Sequence, residues 1–174
     1  MTDGTRGTAN DVEGTIVRKA TSRDMPAVGR LGALLIRTHN QFDPARFIPA
    51  TADSADGYAW FLGTQLRRRD AAVFVAEANG HVIGYTYVTV EGEDWMSLRG
   101  PAGVLHDIVT DPEHRGRGAG RMLLDAALAF VKAHGVAQVV LYTAEGNETA
   151  HRMFERAGFR RTMIEMTREL SDVD

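Results

Sequence analysis

The sequence predicts an α/β fold built on a mixed sheet, and two stretches carry this prediction. Residues 71–92 contain two runs rich in β-branched and aromatic residues around Asn79-Gly80, a pair that supplies the positive φ angles of a tight hairpin turn. Residues 104–110, VLHDIVT, predict a further strand, and the apolar run over 121–135 predicts a helix that ends on a glycine. A strand that leads through a loop into a buried helix is typical of a sheet covered by helices.

Length and composition limit the kinds of protein that this chain can be. The 174 residues favour a single domain, which we place at residues 14–170 after a disordered polar tail over 1–13. A hydrophobic fraction of 44% and a charged fraction of 25% are ordinary for a globular chain. The net charge of −3 argues against a nucleic-acid partner, and no apolar run reaches the length that a membrane-spanning helix needs.

The chain contains no cysteine, which excludes disulfides and thiolate metal ligands, and we expect no metal site. An acyl-cysteine intermediate is excluded for the same reason, so any acyl transfer must go directly from donor to acceptor. A cysteine-free composition is compatible with the cytoplasm, which is the location we expect.

The elements before the hairpin follow in order. Residues 15–20 predict a first strand, and a helix begins after the cap-like Thr21 and ends near Arg37. Residues 37–57 predict a long loop, and long loops in compact domains often carry function. Residues 56–69 predict a second helix, and we interpret its three terminal arginines as a solvated helix end.

Glycines and arginines between strand 104–110 and the next helix predict an anion site. The first backbone N–H groups of a helix lack intrahelical partners, and glycines let a ligand approach them closely. The expected ligand is a di- or polyphosphate. The alternative is that the glycines only turn the chain and the arginines are solvated. The residues concerned are Arg115, Gly116, Arg117, Gly118, Ala119, Gly120 and Arg121.

The spacing of these residues excludes two common nucleotide sites. A P-loop requires GxxxxGK[ST], and no lysine is near; a dinucleotide fingerprint requires GxGxxG, and Arg121 takes the place of its last glycine. The remaining pattern is Arg-x-x-Gly-x-Gly at Arg115, Gly118 and Gly120, directly after a strand. This pattern resembles the acetyl-CoA pyrophosphate loop of the GCN5-related N-acetyltransferase (GNAT) family.

A second motif downstream resembles the same family. The family pattern is Asn-x-x-Ala-x-x-x-Tyr-x-x-x-Gly-Phe, and phenylalanine replaces the tyrosine here. The two motifs occur in the family's order and together span residues 104–159, about a third of the chain. The matching residues are Asn147, Ala150, Phe154, Gly158 and Phe159.

The resemblance implies a fold, a donor and a reaction. The fold is a central, mostly antiparallel twisted sheet of six or seven strands flanked by about four helices. The co-substrate is acetyl-CoA, whose pyrophosphate the backbone of residues 115–121 holds. The reaction is direct transfer of the acetyl group to a primary amine of a small molecule or peptide. The other cofactor-binding residues implied are Ile108, Val109, Thr110, Asn147 and Phe154.

An amine acceptor is mostly protonated at neutral pH, so a base must remove a proton before or during attack. His106 is the first candidate, because strand alternation places it on the face of Val104, Ile108 and Thr110, where many members of the family carry a catalytic glutamate. Asp107 points to the opposite face by the same alternation and is the second candidate. The alternative for His106 is a strand histidine that is hydrogen-bonded in the core.

The departing thiolate also requires a proton donor. The family's tyrosine often has this role, and Phe154 has no hydroxyl group. Tyr142 is our candidate, with His151 or water as alternatives. The substitution also keeps open a second class of function, a non-catalytic CoA-binding module with a regulatory or sensing role.

We place the acceptor site around the long loop, where Phe42 lines a pocket and Asp43 attracts a cationic amine, together with Trp95 from the loop at 93–103. Each has a structural alternative, since the aromatic residues can cover the core or the sheet edge and Asp43-Pro44 can form a turn. After Phe159 there is room for roughly one closing strand. Completion of that edge by a second copy predicts a homodimer.

Overall fold

The structure is a computed structural model that describes residues 14–170, so the predicted tail over residues 1–13 lies outside the described residues. The single-domain division at residues 14–170 stays a prediction. Short 3₁₀ turns at Ser22–Asp24 and Pro112–His114 precede the first and third helices. The described elements are β1 Thr15–Lys19, α1 Met25–Phe42, α2 Ser54–Gln65, β2 Ala71–Ala78, β3 His81–Glu91, β4 Ala102–Thr110, α3 Ala119–Ala133, β5 Val139–Leu141 and α4 Glu148–Arg156.

The strands form one sheet in the order β1-β2-β3-β4-β5, in which the first four are antiparallel and β5 runs parallel to β4. The predicted α/β fold with a mixed sheet is confirmed. The sheet has five strands within residues 14–170 rather than the six or seven that the resemblance implied. The difference arises because residues 157–170 make no sheet pairing after α4.

Two hydrophobic layers enclose the sheet. Helices α1 and α2 cover one face, where Val28 and Leu62 are fully buried against β2 and β3. Helices α3 and α4 cover the other face, where Leu124, Val131 and Phe154 pack together. Strands β3 and β4 therefore lie between the layers, and side chains of β4 reach a helical layer on either face.

Helix α1 continues to Phe42 and does not end near Arg37 as predicted. The residues between them are only moderate helix formers, but the side chains of Thr38 and His39 bond to carbonyl oxygens one turn earlier and the helix packs on the sheet. Helix α2 ends at Gln65, so the arginine run at 67–69 follows the helix instead of forming its last turn.

A β-bulge interrupts β4. Tyr87 of β3 pairs with Asp107, whereas Val88 pairs with Leu105, so that His106 is the extra residue. A bulge shifts the alternation of side chains between the two faces of a sheet. Residues before and after His106 therefore do not alternate between the two faces of the sheet as they would in a regular strand.

Candidate active site

Strands β4 and β5 enclose a cleft at their C-terminal ends. Their parallel pairing stops at the Leu105–Leu141 pair, although β4 continues to Thr110. Among residues 14–170 no other strand pairs with this edge of β4, so a wedge-shaped space opens between the strands. Its cavity has a volume of ≈ 60 Å³. The lining residues are Leu35, His39, Leu105, His106, Asp107, Ile108, Leu141, Tyr142, Thr143, Asn147, Ala150 and Phe154.

The bulge brings His106 and Asp107 to the same face of the sheet. Asp107 bonds to Tyr85 and His106 bonds to Thr89, and these two partners lie on one face of β3, four residues apart. The prediction that Asp107 points to the opposite face from His106 is therefore wrong. The alternation failed because it assumed regular pairing through position 106.

The register also separates His106 from two residues with which the alternation grouped it. Ile108 packs in the apolar cluster beneath α3, and the hydroxyl of Thr110 lies beside Gly120 of α3. Val104 pairs with Thr89 and shares the face of His106. Of these three residues, only Val104, which precedes the bulge, lies on the same face as His106 as predicted.

Asp107 has the electrostatics of a proton acceptor. The Tyr85 hydroxyl donates a 3.0 Å hydrogen bond to Asp107 Oδ2. Burial raises the pKa of Asp107 to about 6, while the Tyr85 bond and the charge of His39 act in the lowering direction. The carboxyl group is therefore mostly ionised at neutral pH and still basic enough to accept a proton.

His106 is more constrained. Its Nε2 lies 2.8 Å from the Thr89 hydroxyl and 3.5 Å from Glu91 Oε1, and its ring stacks on Tyr87 with centroids 4.8 Å apart. Burial lowers the pKa of His106 and the Glu91 carboxylate opposes that shift. The side chain is 36% exposed. His106 reaches the cleft, but the Nε2 atom is engaged by the sheet.

His39 is a cleft residue that the sequence placed in the long loop at 37–57 without assigning it a role. It lies on α1, at a position where the sequence predicted a loop, so helical spacing was not applied to it. Leu35 and His39 are one helical turn apart and both line the cleft. A helix continued beyond Arg37 would have placed His39 on the same face as Leu35, so the signal was present in the spacing.

The chain between β4 and α3 forms a turn that suits an anion. Gly116 has φ 76° and Gly118, the N-cap of α3, has φ 91°, a conformation that favours glycine. Arg115 Nε donates to the Thr110 carbonyl at 3.2 Å, which ties the turn to the end of β4. Arg121 pairs with Asp125 at 2.9 Å. Exposed N–H groups, the helix dipole and nearby arginines together fit a pyrophosphate.

The second motif has a local structural explanation. Asn147 caps α4, since its side chain accepts a hydrogen bond from the Ala150 backbone N–H at 3.2 Å. Phe154 is 6% exposed and packs edge-on against Phe159 with centroids 5.7 Å apart. Tyr142, just after β5, is 72% exposed and lines the cleft. The motif thus positions α4 beside the cleft.

The three predicted acceptor residues, Phe42, Asp43 and Trp95, do not line the cleft together. Phe42 packs beside Gly146 and edge-on against His39, and it is not among the residues that line the cleft. Asp43 accepts backbone hydrogen bonds from Ala45 and Arg46, which is the turn that the alternative interpretation described. Trp95, 74% exposed, lies in the loop between β3 and β4 and is not among the residues that line the cleft.

The part of the chain that the structure describes contains no group of three or more His, Asp or Glu side chains that could hold a metal ion. In the same residues no helix is long and apolar enough to cross a membrane.

The fold places an unpaired edge of β4, a glycine turn at the start of α3 and a cleft lined by titratable side chains next to one another. A model of the Acetyltransferase (GNAT) family matches residues 35–159. That match covers most of the chain, and the chain therefore belongs to the GNAT family.

Individual relatives agree with this membership. The mycothiol acetyltransferase of Thermobispora bispora is 35% identical over 127 residues, which cover 67% of this chain and 41% of that protein. The tetramutant of the BH1408 protein from Bacillus halodurans has a TM-score of 0.77 at 22% identity, covering 89% of this chain and 99% of that chain. A predicted acetyltransferase from Clostridium acetobutylicum, solved with acetyl-CoA, has a TM-score of 0.68 at 16% identity, covering 88% and 96%. The chain spans less than half the length of the mycothiol acetyltransferase.

Proposed function

We propose that this chain is an acetyl-CoA-dependent N-acetyltransferase that transfers the acetyl group directly to a primary amine of a small molecule or peptide. The observation that carries the proposal is the position of Asp107. This carboxyl group, with its pKa raised to about 6, lies in a cleft that opens at the strand leading to the glycine turn. An anion site and a base along one strand are what acyl transfer from a CoA thioester to an amine requires.

The donor is proposed to lie along β4. The open edge at residues 108–110 offers backbone groups to the pantetheine arm, and the turn at residues 115–121 offers backbone N–H groups to the pyrophosphate. Asn147 and Phe154 border the cleft from α4 and are the proposed contacts on that side.

Among the candidates for the base we place Asp107 before His106. Burial raises the pKa of Asp107, which keeps one oxygen that is not bonded to Tyr85, whereas burial lowers the pKa of His106 and so makes it a weaker base. His106 then contributes to the wall of the cleft and to its charge. Tyr142 stays the proposed proton donor to the thiolate, supported by its hydroxyl and its place in the cleft lining.

On the acceptor side we keep Phe42, which packs against the cleft residue His39. Asp43 and Trp95 receive less support, because one is used in a turn and the other lies in a different loop. Attraction of a cationic amine is assigned to Asp107 itself. We propose no nucleic-acid acceptor, since the net charge is −3.

The proposal includes a homodimer. The segment at 160–170 runs without strand pairing and exposes the large apolar side chains of Met163, Ile164, Met166 and Leu170. Burial of such side chains against a second copy would also cover the edge strand β5. A cytoplasmic location is part of the proposal because acetyl-CoA is a cytoplasmic metabolite. Light scattering at several protein concentrations tests the dimer.

The decisive experiment is thiol release from acetyl-CoA, followed with a thiol reagent in the presence of a panel of small amines and peptide N-termini. The chain contains no cysteine, so the protein contributes no background. Release that depends on an amine, with an acetylated product identified by mass, supports the proposal. If acetyl-CoA raises the melting temperature but no amine is acetylated, the non-catalytic CoA-binding module is favoured, as the absent hydroxyl at Phe154 would allow.

A further inference from the structure

Asp107 needs a route by which the proton it accepts leaves the cleft. In acetyl transfer to an ammonium acceptor, a C–N bond forms and the thioester C–S bond breaks. The nitrogen loses two protons, the thiolate takes one of them, and the other must reach solvent. Asp107 is half-buried and bonded to Tyr85, so its direct exchange of protons with bulk water is hindered.

His39 of α1 lines the same cleft as Asp107. Both side chains line the same cavity of ≈ 60 Å³, which has room for a few water molecules between polar groups. The charge of His39 lowers the pKa of Asp107 against the effect of burial, as expected for neighbouring side chains. The other titratable groups around Asp107 are Tyr85 and Tyr87 of β3, Tyr58 of α2, His106 of β4 and Tyr142 after β5.

The hydrogen bonding of His39 assigns its protons. Nδ1 lies 2.9 Å from the carbonyl oxygen of Leu35. A carbonyl only accepts, so Nδ1 carries the proton of the neutral ring and Nε2 keeps a free lone pair. No partner for Nε2 occurs among residues 14–170. The second nitrogen is therefore available to the cleft.

The ring is also held in place. Phe42 and Phe47 pack edge-on against His39, with centroid distances of 6.1 Å and 5.1 Å. Phe47 is in turn fixed by a 2.7 Å hydrogen bond from Asn40 Nδ2 to its carbonyl. The half-exposed ring of His39 is therefore held in one orientation in the cleft, with one nitrogen bonded to Leu35 and the other free to accept a proton.

We propose that His39 is a proton-relay residue, which takes through its Nε2 the proton that Asp107 receives from the acceptor amine and releases it to solvent. This inference rests on the proposed acetyl transfer. It adds a residue of α1 to a mechanism whose other candidates lie on β4 and β5.

Two variants test the relay. His39→Asn retains an N–H group for the Leu35 carbonyl but cannot carry a proton, and His39→Ala leaves space for added imidazole. His81→Asn is the matched control, since His81 also bonds through Nδ1 to a backbone carbonyl, at 2.9 Å, and lies at the start of β3 outside the cleft. Melting temperature and acetyl-CoA affinity establish that each variant is folded.

We expect both His39 variants to lose about tenfold in kcat at neutral pH with an unchanged KM for acetyl-CoA. Imidazole should restore kcat of His39→Ala, and an equal concentration of a non-titrating salt should not. Wild-type kcat in both variants, or a loss that imidazole does not restore, would overturn the relay while leaving the acetyltransferase proposal intact. Absence of amine-dependent turnover in the wild-type protein would overturn the proposed function and this inference with it.

Discussion

The hydroxyl group of Tyr85 donates a 3.0 Å hydrogen bond to Asp107 Oδ2, although the two residues are 22 positions apart. The bond crosses from β3 to β4 beside the bulge, where the register shifts between Tyr87 and Val88. This hydrogen bond occupies one oxygen of the Asp107 carboxylate. The other oxygen is left free to act in the cleft. Several predictions about the chemistry and stability of the protein depend on this arrangement.

Asp107→Asn should reduce kcat by about 10²–10⁴-fold, because an amide cannot accept the acceptor's proton. Acetyl-CoA affinity should be unchanged, since the proposed anion turn is remote from the substitution. In the wild-type protein kcat/KM should rise as pH increases through about 6, where Asp107 ionises. Steady-state kinetics of thiol release across the pH range measures both effects. Activity of Asp107→Asn equal to wild type would exclude the carboxylate as the base.

His106→Gln serves as the comparison for that variant. Glutamine can still bond to the Thr89 hydroxyl, and we expect a smaller loss of kcat than for Asp107→Asn. A larger loss for His106→Gln would reverse our order of the two candidates.

The same Asp107→Asn change should stabilise the fold at alkaline pH. The pKa of Asp107 is raised from 3.8 to about 6 in the folded protein, so folding favours the protonated form, and that stability is lost as pH rises through 6. At pH 8 the variant should gain on the order of 1–3 kcal/mol in free energy of unfolding. The gain should disappear near pH 4. Urea unfolding at both pH values measures it, and a variant less stable than wild type at pH 8 would contradict the burial argument.

Gly118→Asp should abolish the rise in melting temperature that CoA produces, with an affinity loss of more than about tenfold. A carboxylate at the N-cap complements the helix dipole and therefore repels an anion without removing the helix. Gly135→Asp is the control, because Gly135 also has a positive φ, 72°, and lies just past the other end of α3. Calorimetry with CoA distinguishes them. Equal affinities for the two variants would remove the anion site from this turn.

A pair remote from the cleft should set the acid stability. Arg18 donates two 2.8 Å hydrogen bonds to Asp24, and this pairing lowers the pKa of Asp24 to about 2. The resulting stability is present above pH 3.8 and is lost as pH falls through 2. Asp24→Asn should therefore cost about 2 kcal/mol at pH 7 and little at pH 2.

The exposed pair Arg68–Asp70 provides the matched control for Asp24. Its side chains are largely solvated, so Asp70→Asn should leave the free energy of unfolding within experimental error. Urea denaturation at pH 7 measures both variants. A cost for Asp70→Asn equal to that for Asp24→Asn would show that burial does not distinguish the two pairs.

The sequence alone determined the features that depend on neighbouring residues. The hairpin around Asn79-Gly80 and the glycine turn before α3 both appear where local spacing predicted them. Each depends on φ angles or hydrogen bonds within a few residues, and local chemistry is sufficient to specify these.

Tertiary structure decided what depends on distant partners. The register of β4 against β3 placed His106 and Asp107 on one face, and packing on the sheet extended α1 so that His39 reached the cleft. Pairing across 20 or more residues sets a bulge, and burial among such partners sets the pKa of Asp107. Neither the partners nor the burial is contained in the spacing of a single strand, so the sequence could nominate the candidate residues but could not orient them.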